Sequence, residues 1–231
     1  MEATAQGVQA TQDVQIQVSG LLFDMDGVLV SSIGSVERSW RLWAKHYGLP
    51  NADKLEIPHG MRAVDVMTQV KADIDKVEGL KLIEDLELED TADLQVLEGV
   101  RRLLDGLPAH HWAIVTSATR RLLLGRLKAA GLPVPDRIIS GDEVKRGKPH
   151  PEPYRHGAEL LSVQPQDCLV FEDAPSGVRA GVAAGCRVLG VLGTHSAEEL
   201  REAGASWIVS SLRNVRTRTN DGRIAITIDT V

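Results

Sequence analysis

Cysteine is scarce: the 231-residue chain has two, Cys168 and Cys186. Both lie in apolar surroundings and read as small core residues rather than a disulfide framework, although spacing alone leaves a bridge between them open. An excess of basic charge is missing too. Lys and Arg number 26 against 32 Asp and Glu, for a net charge of -6, so the broad cationic face that nucleic acid or an anionic membrane requires is not available. The most apolar stretch, AGVAAGCRVLGVLG, is too short to span a bilayer and carries Arg187. The opening MEATAQGVQATQDVQ lacks the basic-then-apolar pattern of a signal peptide. The expectation is a cytoplasmic protein with no nucleic-acid or membrane partner, in which any bound anion is held locally.

What is present is enough apolar material, 43% of residues, for a proper core. Residues 1–18 are mostly small and polar and read as a loose tail. A strand runs through Val18 to Phe23. SVERSWRLWAKHYGLP then places Val36, Trp40, Trp43 and Tyr47 at helical spacing, and Ala63, Val66, Met67, Val70, Ile74 and Val77 continue a helical pattern. After that first strand, none is expected before about residue 110. From there WAIVTS, DRIIS, CLVFED and CRVLGVLG read as strands alternating with helices, which implies a parallel sheet covered on both faces. RNVRTRTNDGRIAITI reads as a terminal hairpin around an Asn-Asp-Gly turn. The fold class is therefore α/β, a Rossmann-like parallel core of residues 19–32 and 97–231 with an all-helical cap of 33–96 inserted into it.

Polar residues gather where these strands end: Asp24 and Asp26, Thr116 and Ser117, Glu172 and Asp173, with Lys148 in a proline-rich loop nearby. In an open parallel sheet such ends converge on one crevice. Residues two apart in extended chain share a side, so Asp24 and Asp26 can both face it while Met25 turns to the core. Several carboxylates in one pocket demand cations. Lys148 offers one charge, and hard oxygen ligands suit Mg2+. The combination suits phosphoryl transfer, with Asp24 as nucleophile, Asp26 as acid and base, Thr116 and the Ser117 N–H on phosphate oxygens, Asp173 on the metal and Glu172 beside a metal-bound water. Taken singly, each has a plainer reading. DMDG can be a polar turn, Thr116 can start the next helix in competition with Thr119, Lys148 can be a solvated loop lysine, and Glu172 with Asp173 can cap a helix. Trp40 and Trp43 read as packing within the helical insert rather than a ligand cage.

Taken together, FDMDGVLVSS, VTSATR, GKPHPEPY and FEDAPSGVRAGVAAGC closely resemble the four motifs of the haloacid dehalogenase superfamily of Mg2+-dependent phosphohydrolases. That resemblance implies the roles just given for Asp24, Asp26, Thr116, Lys148 and Asp173. It adds that the Asp26 backbone carbonyl ligates the metal, and that a second aspartate marks phosphatases and phosphomutases. The cap segment IPHGMRAVDVM, with His59, Gly60, Arg62 and Asp65, is similar to the HGxR segment of the yeast-type glycerol phosphate and 2-deoxyglucose 6-phosphate phosphatases. It implies that His59, Gly60 and Arg62 bind a small polyol or sugar phosphate. Ala118 departs from that group, where glycine is common.

Two rivals remain. A β-phosphoglucomutase-like phosphomutase would share every catalytic residue. A receiver-like signalling module would share the acidic residues, Thr and Lys, but is about half this length and has no helical insert. The expected protein is a monomer acting on a small phosphorylated metabolite.

Overall fold

Residues 13–220 and 222–231 are described by the structure, a computed structural model. Six parallel strands form its centre: β2 (Gly20–Phe23), β5 (Trp112–Val115), β6 (Ile138–Ile139), β7 (Cys168–Glu172), β8 (Arg187–Val191) and β9 (Trp207–Val209). Their order in the sheet is β6-β5-β2-β7-β8-β9, so β2 is central. Strands buried on both faces must be apolar throughout, which is why GLLF, WAIV and CLVF read as unbroken runs. Leu21, Phe23, Ile114 and Phe171 pack into one layer, while Leu22, Ala113, Val115 and Val170 pack into the other. Phe23 stacks on Phe171 with ring centroids 4.4 Å apart. Helices α5 (Arg120–Ala130), α6 (Glu152–Leu160) and α7 (Pro175–Ala184) follow β5, β6 and β7 in turn. Cys168 and Cys186 are free and buried, and burial pushes both thiols up to about 12. No helix among the described residues is long and apolar enough to cross a membrane.

Residues 33–96 supply α1 (Ile33–His46), α2 (Ala63–Val70) and α3 (Lys76–Glu89), which gather a separate apolar cluster around Trp43, Met67 and Ile83. The Trp43 indole donates to the Gly79 carbonyl at 3.0 Å, and Trp40 lies against it at 5.4 Å, so both serve packing. The helical pattern read from Ala63 to Val77 is broken. α2 stops at Val70, Ile74 is buried in the connection, and Val77 lies in the first turn of α3 with 78% exposure. Asp75 accounts for the restart, since its side chain accepts from the backbone N–H groups of Val77 and Glu78.

Strands also appear where none was expected. β3 (Val30–Ser31) and β4 (Gln95–Val96) pair antiparallel, clipping together the two crossings between the helical block and the sheet. The tail assignment for residues 1–18 is corrected in its last third: β1 (Asp13–Val18) pairs antiparallel with β11 (Arg223–Asp229) along its whole length. β11 in turn pairs with β10 (Val215–Asn220), the hairpin read from the sequence. Val14, Ile16 and Val18 alternate with polar residues, and the register sets them opposite Ile228, Ile226 and Ile224. Residues 1–12 lie outside the described residues.

Candidate active site

β2 ends at Phe23, and the chain turns sharply under the ends of its neighbours. Met25 is fully buried in the core, as expected from the two-residue period. Gly27 takes φ +77°, and a Cβ on it would fall 1.8 Å from Asp173 Oδ2. Only glycine lets this turn lie against the end of β7. Asp24 and Asp173 are thereby brought side by side, each 3% exposed.

Lys148 reaches in from the loop before α6 and is buried, not solvated. Its ammonium donates to Asp24 Oδ1 at 2.8 Å, Glu172 Oε1 at 2.6 Å and the Val115 carbonyl at 3.1 Å, which uses its three protons. Burial alone would lower its pKa; Asp24 and Glu172 outweigh that and hold it above its ordinary value. Burial pushes Asp24 up to about 7 against the attraction of Lys148, and it drives Asp173 well above the carboxylate range, aided by the charges of Glu172 and Asp24. Glu172, expected beside a metal-bound water, has its carboxylate occupied by protein donors. It accepts from Lys148, the Tyr154 hydroxyl at 2.7 Å, and the backbone N–H groups of Asp173 and Ala174 at 3.1 and 3.2 Å. Four donors fill a carboxylate's lone-pair directions, so Glu172 holds Lys148 and the start of α7 in place.

Thr119, not Thr116, caps α5, by accepting from the Leu122 N–H. Thr116 is left facing a cavity of about 280 Å3, with Ser117, Asp24, Asp26 and Asp173 around it and His59, Gly60 and Arg62 opposite. The Ser117 hydroxyl donates to the Gly60 carbonyl at 2.7 Å, and the Ser176 hydroxyl to that of His59 at 3.1 Å. Gly60 has φ +77°, and a Cβ there would meet Ser176 Oγ at 2.5 Å. The His-Gly pair therefore docks the helical block on the sheet. Burial and the nearby His195 lower the His59 pKa. Arg62, expected to bind the substrate, lines the cavity, and its guanidinium is held by protein groups. It grips Asp65 at 2.7 and 2.9 Å and reaches the carbonyls of Val144 and Gly141 at 2.9 and 3.3 Å.

Sequence reasoning missed several groups here. The Thr194 hydroxyl donates to Asp173 Oδ2. Arg126, 4% exposed, donates to Asp26 Oδ2 and to Glu87 Oε2, each at 2.6 Å. Arg126 had a visible signal, an arginine on the face that α5 buries with Leu122, Leu123 and Leu127. Burial pushes Glu87 up to about 7 although Arg126 pulls the other way.

Asp24, Glu172 and Asp173 bring one carboxylate oxygen each within 4.8 Å of one another; the Asp26 carboxylate is not in this group. Three buried carboxylates against one ammonium leave a local excess of negative charge, and the donors are all hard oxygens. Such a set fits a small dication such as Mg2+. Since Glu172 is already satisfied, Asp24 and Asp173 are the side chains able to hold one.

The chain is similar in sequence and fold to known proteins. Residues 21–191 match the family of haloacid dehalogenase-like hydrolases. Hexitol phosphatase A of Escherichia coli is 37% identical over 91% of this chain and 100% of its own. Glycerol-1-phosphate phosphohydrolase 2 of Saccharomyces cerevisiae is 31% identical over 89% of this chain and 87% of its own. Among solved structures, a hydrolase from Pseudomonas syringae superposes with a TM-score of 0.75 over 84% of this chain and 93% of its own, at 23% identity, which speaks for the fold alone. The chain belongs to the haloacid dehalogenase-like hydrolase family.

Proposed function

We propose that this protein is a phosphatase that hydrolyses a small polyol or sugar phosphate through a phosphorylated Asp24. The observation that carries the reading is Asp24 itself, a buried carboxylate held by Lys148 at 2.8 Å at the base of a cavity, with Asp173 beside it. A carboxylate desolvated and fixed in this way is poised as a nucleophile. An Asp24 oxygen bonds to phosphorus as the ester bond breaks, and Asp26 gives its proton to the departing alcohol oxygen. Asp26 then takes a proton from water, whose oxygen attacks phosphorus and releases phosphate from Asp24. The Thr116 hydroxyl and the Ser117 N–H hold the phosphoryl oxygens, while Lys148 balances charge on Asp24. Asp24 and Asp173 would hold Mg2+, which would supply the positive charge needed for a phosphate dianion to sit among carboxylates. The helices of 33–96 act as a cap that closes the cavity over the substrate.

Two features favour a small polyhydroxylated alcohol as leaving group. The cavity, about 280 Å3, lies at the small end for ligand sites. The relatives at 37% and 31% identity are named for hexitol phosphate and glycerol 1-phosphate chemistry. A cytoplasmic monomer is the setting we propose, where two buried free thiols are at home. The test is phosphate release from a panel of hexitol, hexose and glycerol phosphates with Mg2+, before and after chelation. Release that stops with chelator and returns with Mg2+ is expected. Full activity in metal-free buffer contradicts the reading, and transfer between hydroxyls without net release marks a phosphomutase instead.

A further inference from the structure

Asp26 has to present its carboxyl group to two different oxygens in turn, that of the leaving alcohol and that of water. Nothing in the DMDG turn fixes its side chain, which is about a third exposed. Two groups outside the turn do. The Ser32 hydroxyl donates to Oδ1 at 3.3 Å, and Arg126 Nη1 donates to Oδ2 at 2.6 Å. The arginine comes from α5, far along the chain, and its own side chain is only 5% exposed.

A buried guanidinium is costly unless its geometry is fully determined. Here the other arm, Nη2, reaches Glu87 Oε2 at 2.6 Å on α3, a helix of the 33–96 block. The fork of Arg126 thus spans from the helical block to the Asp26 carboxyl group, and all three side chains line the cavity. Planar guanidinium fixes two acceptors at set angles, which a lysine cannot do. The contact also survives both forms of Asp26, because a protonated carboxyl group keeps one oxygen free to accept.

Building on the phosphatase reading, we propose that Arg126 is a positioning residue for Asp26, and that Glu87 anchors it so that Asp26 is aligned only when α3 lies over the cavity. Losing this alignment harms proton delivery to the leaving group. A polyol alkoxide needs that proton; p-nitrophenolate does not. The two esters therefore separate alignment from general damage to the site.

The experiment measures kcat and kcat/KM for Arg126→Met, Arg126→Lys and Glu87→Gln, on a hexitol phosphate and on p-nitrophenyl phosphate, with circular dichroism on each variant. Arg126→Met is expected to lose on the order of a hundredfold in kcat/KM on the hexitol ester, and less than about fivefold on p-nitrophenyl phosphate. Its kcat falls on both, since water attack on phosphorylated Asp24 is common to them. Arg126→Lys recovers part of the loss. Glu87→Gln, which leaves Arg126 a neutral acceptor and the fold intact, shows the same split to a smaller degree. Equal proportional losses in kcat/KM on the two esters, in whichever variants fold, overturn the proposal while leaving the phosphatase reading standing. A wild-type protein that hydrolyses neither ester removes the phosphatase reading, and this inference with it.

Discussion

At the scale of single residues the site is governed by desolvation. Asp24 is pushed up to about 7 chiefly by burial, with Lys148 pulling it back and Glu172 adding repulsion. Replacing it by asparagine keeps the shape, and the amide oxygen can still accept from Lys148. The nucleophile is gone, so Asp24→Asn should fold and lose turnover by a factor on the order of a thousand or more. Phosphate release, with circular dichroism to confirm folding, decides the point; retention of a tenth of wild-type activity means that Asp24 is not the nucleophile. Asp24, Thr116, Lys148 and Asp173 were legible in the sequence because each falls at a strand end or in an adjoining loop, and strand ends converge whatever the remaining packing. The contacts made by Arg62 and Glu172 were not legible. Both have the residue type their expected roles required, but several of their partners lie far along the chain, and pairings such as Arg62 with the Val144 carbonyl or Glu172 with Lys148 exist only after folding.

Between elements, the contact of α3 with α5 is electrostatic as well as apolar. Glu87 faces Arg126 and, beyond it, Asp26, with Glu84 one turn back on the same helix. Burial raises Glu87 from 4.5 to about 7. An acid whose folded pKa is raised contributes its full stability below the unfolded pKa, and that contribution is lost as pH climbs through the folded one. In the wild type the loss therefore falls between about pH 4.5 and 7 and amounts to about 3 kcal/mol. Glu87→Gln resembles the protonated acid at every pH and has no such loss. Urea unfolding at pH 5 and pH 8 should show the variant gaining on the wild type by up to about 3 kcal/mol at the higher pH. A difference independent of pH would mean that Arg126 keeps Glu87 ionised throughout. Element types read well where one period ruled, as in WAIV and CLVF. The reading failed at Val70, where a helical period continued by chance through a turn, and at DVQIQV, where clean alternation was hidden by two glutamines in a polar setting.

The molecule as a whole holds its chemistry and much of its stability in different places. No residue of β1, β10 or β11 lines the cavity, yet Ile224, Ile226 and Ile228 are almost wholly buried in the larger core layer. These three strands join the segment nearest the start of the described chain to the last one, with Ile16 opposite Ile226. Ile226 is 1% exposed, so truncating it to alanine leaves a cavity in a layer that cannot fully collapse. Ile226→Ala should cost about 2 to 5 kcal/mol. For a chain of this size that lowers Tm by roughly 4 to 20 °C. The proposed catalytic groups lie elsewhere: Asp24, Thr116 and Asp173 follow β2, β5 and β7, whose pairings do not involve this sheet. At 25 °C, where the variant remains mostly folded, kcat/KM should stay within about twofold of wild type. Thermal unfolding followed by circular dichroism, together with phosphate release at 25 °C, measures both quantities. A variant with an unchanged Tm would show that the three-stranded sheet is not part of the cooperative core. A normal fold at 25 °C with a tenfold loss of activity would show instead that this sheet reaches the site through the strands between them.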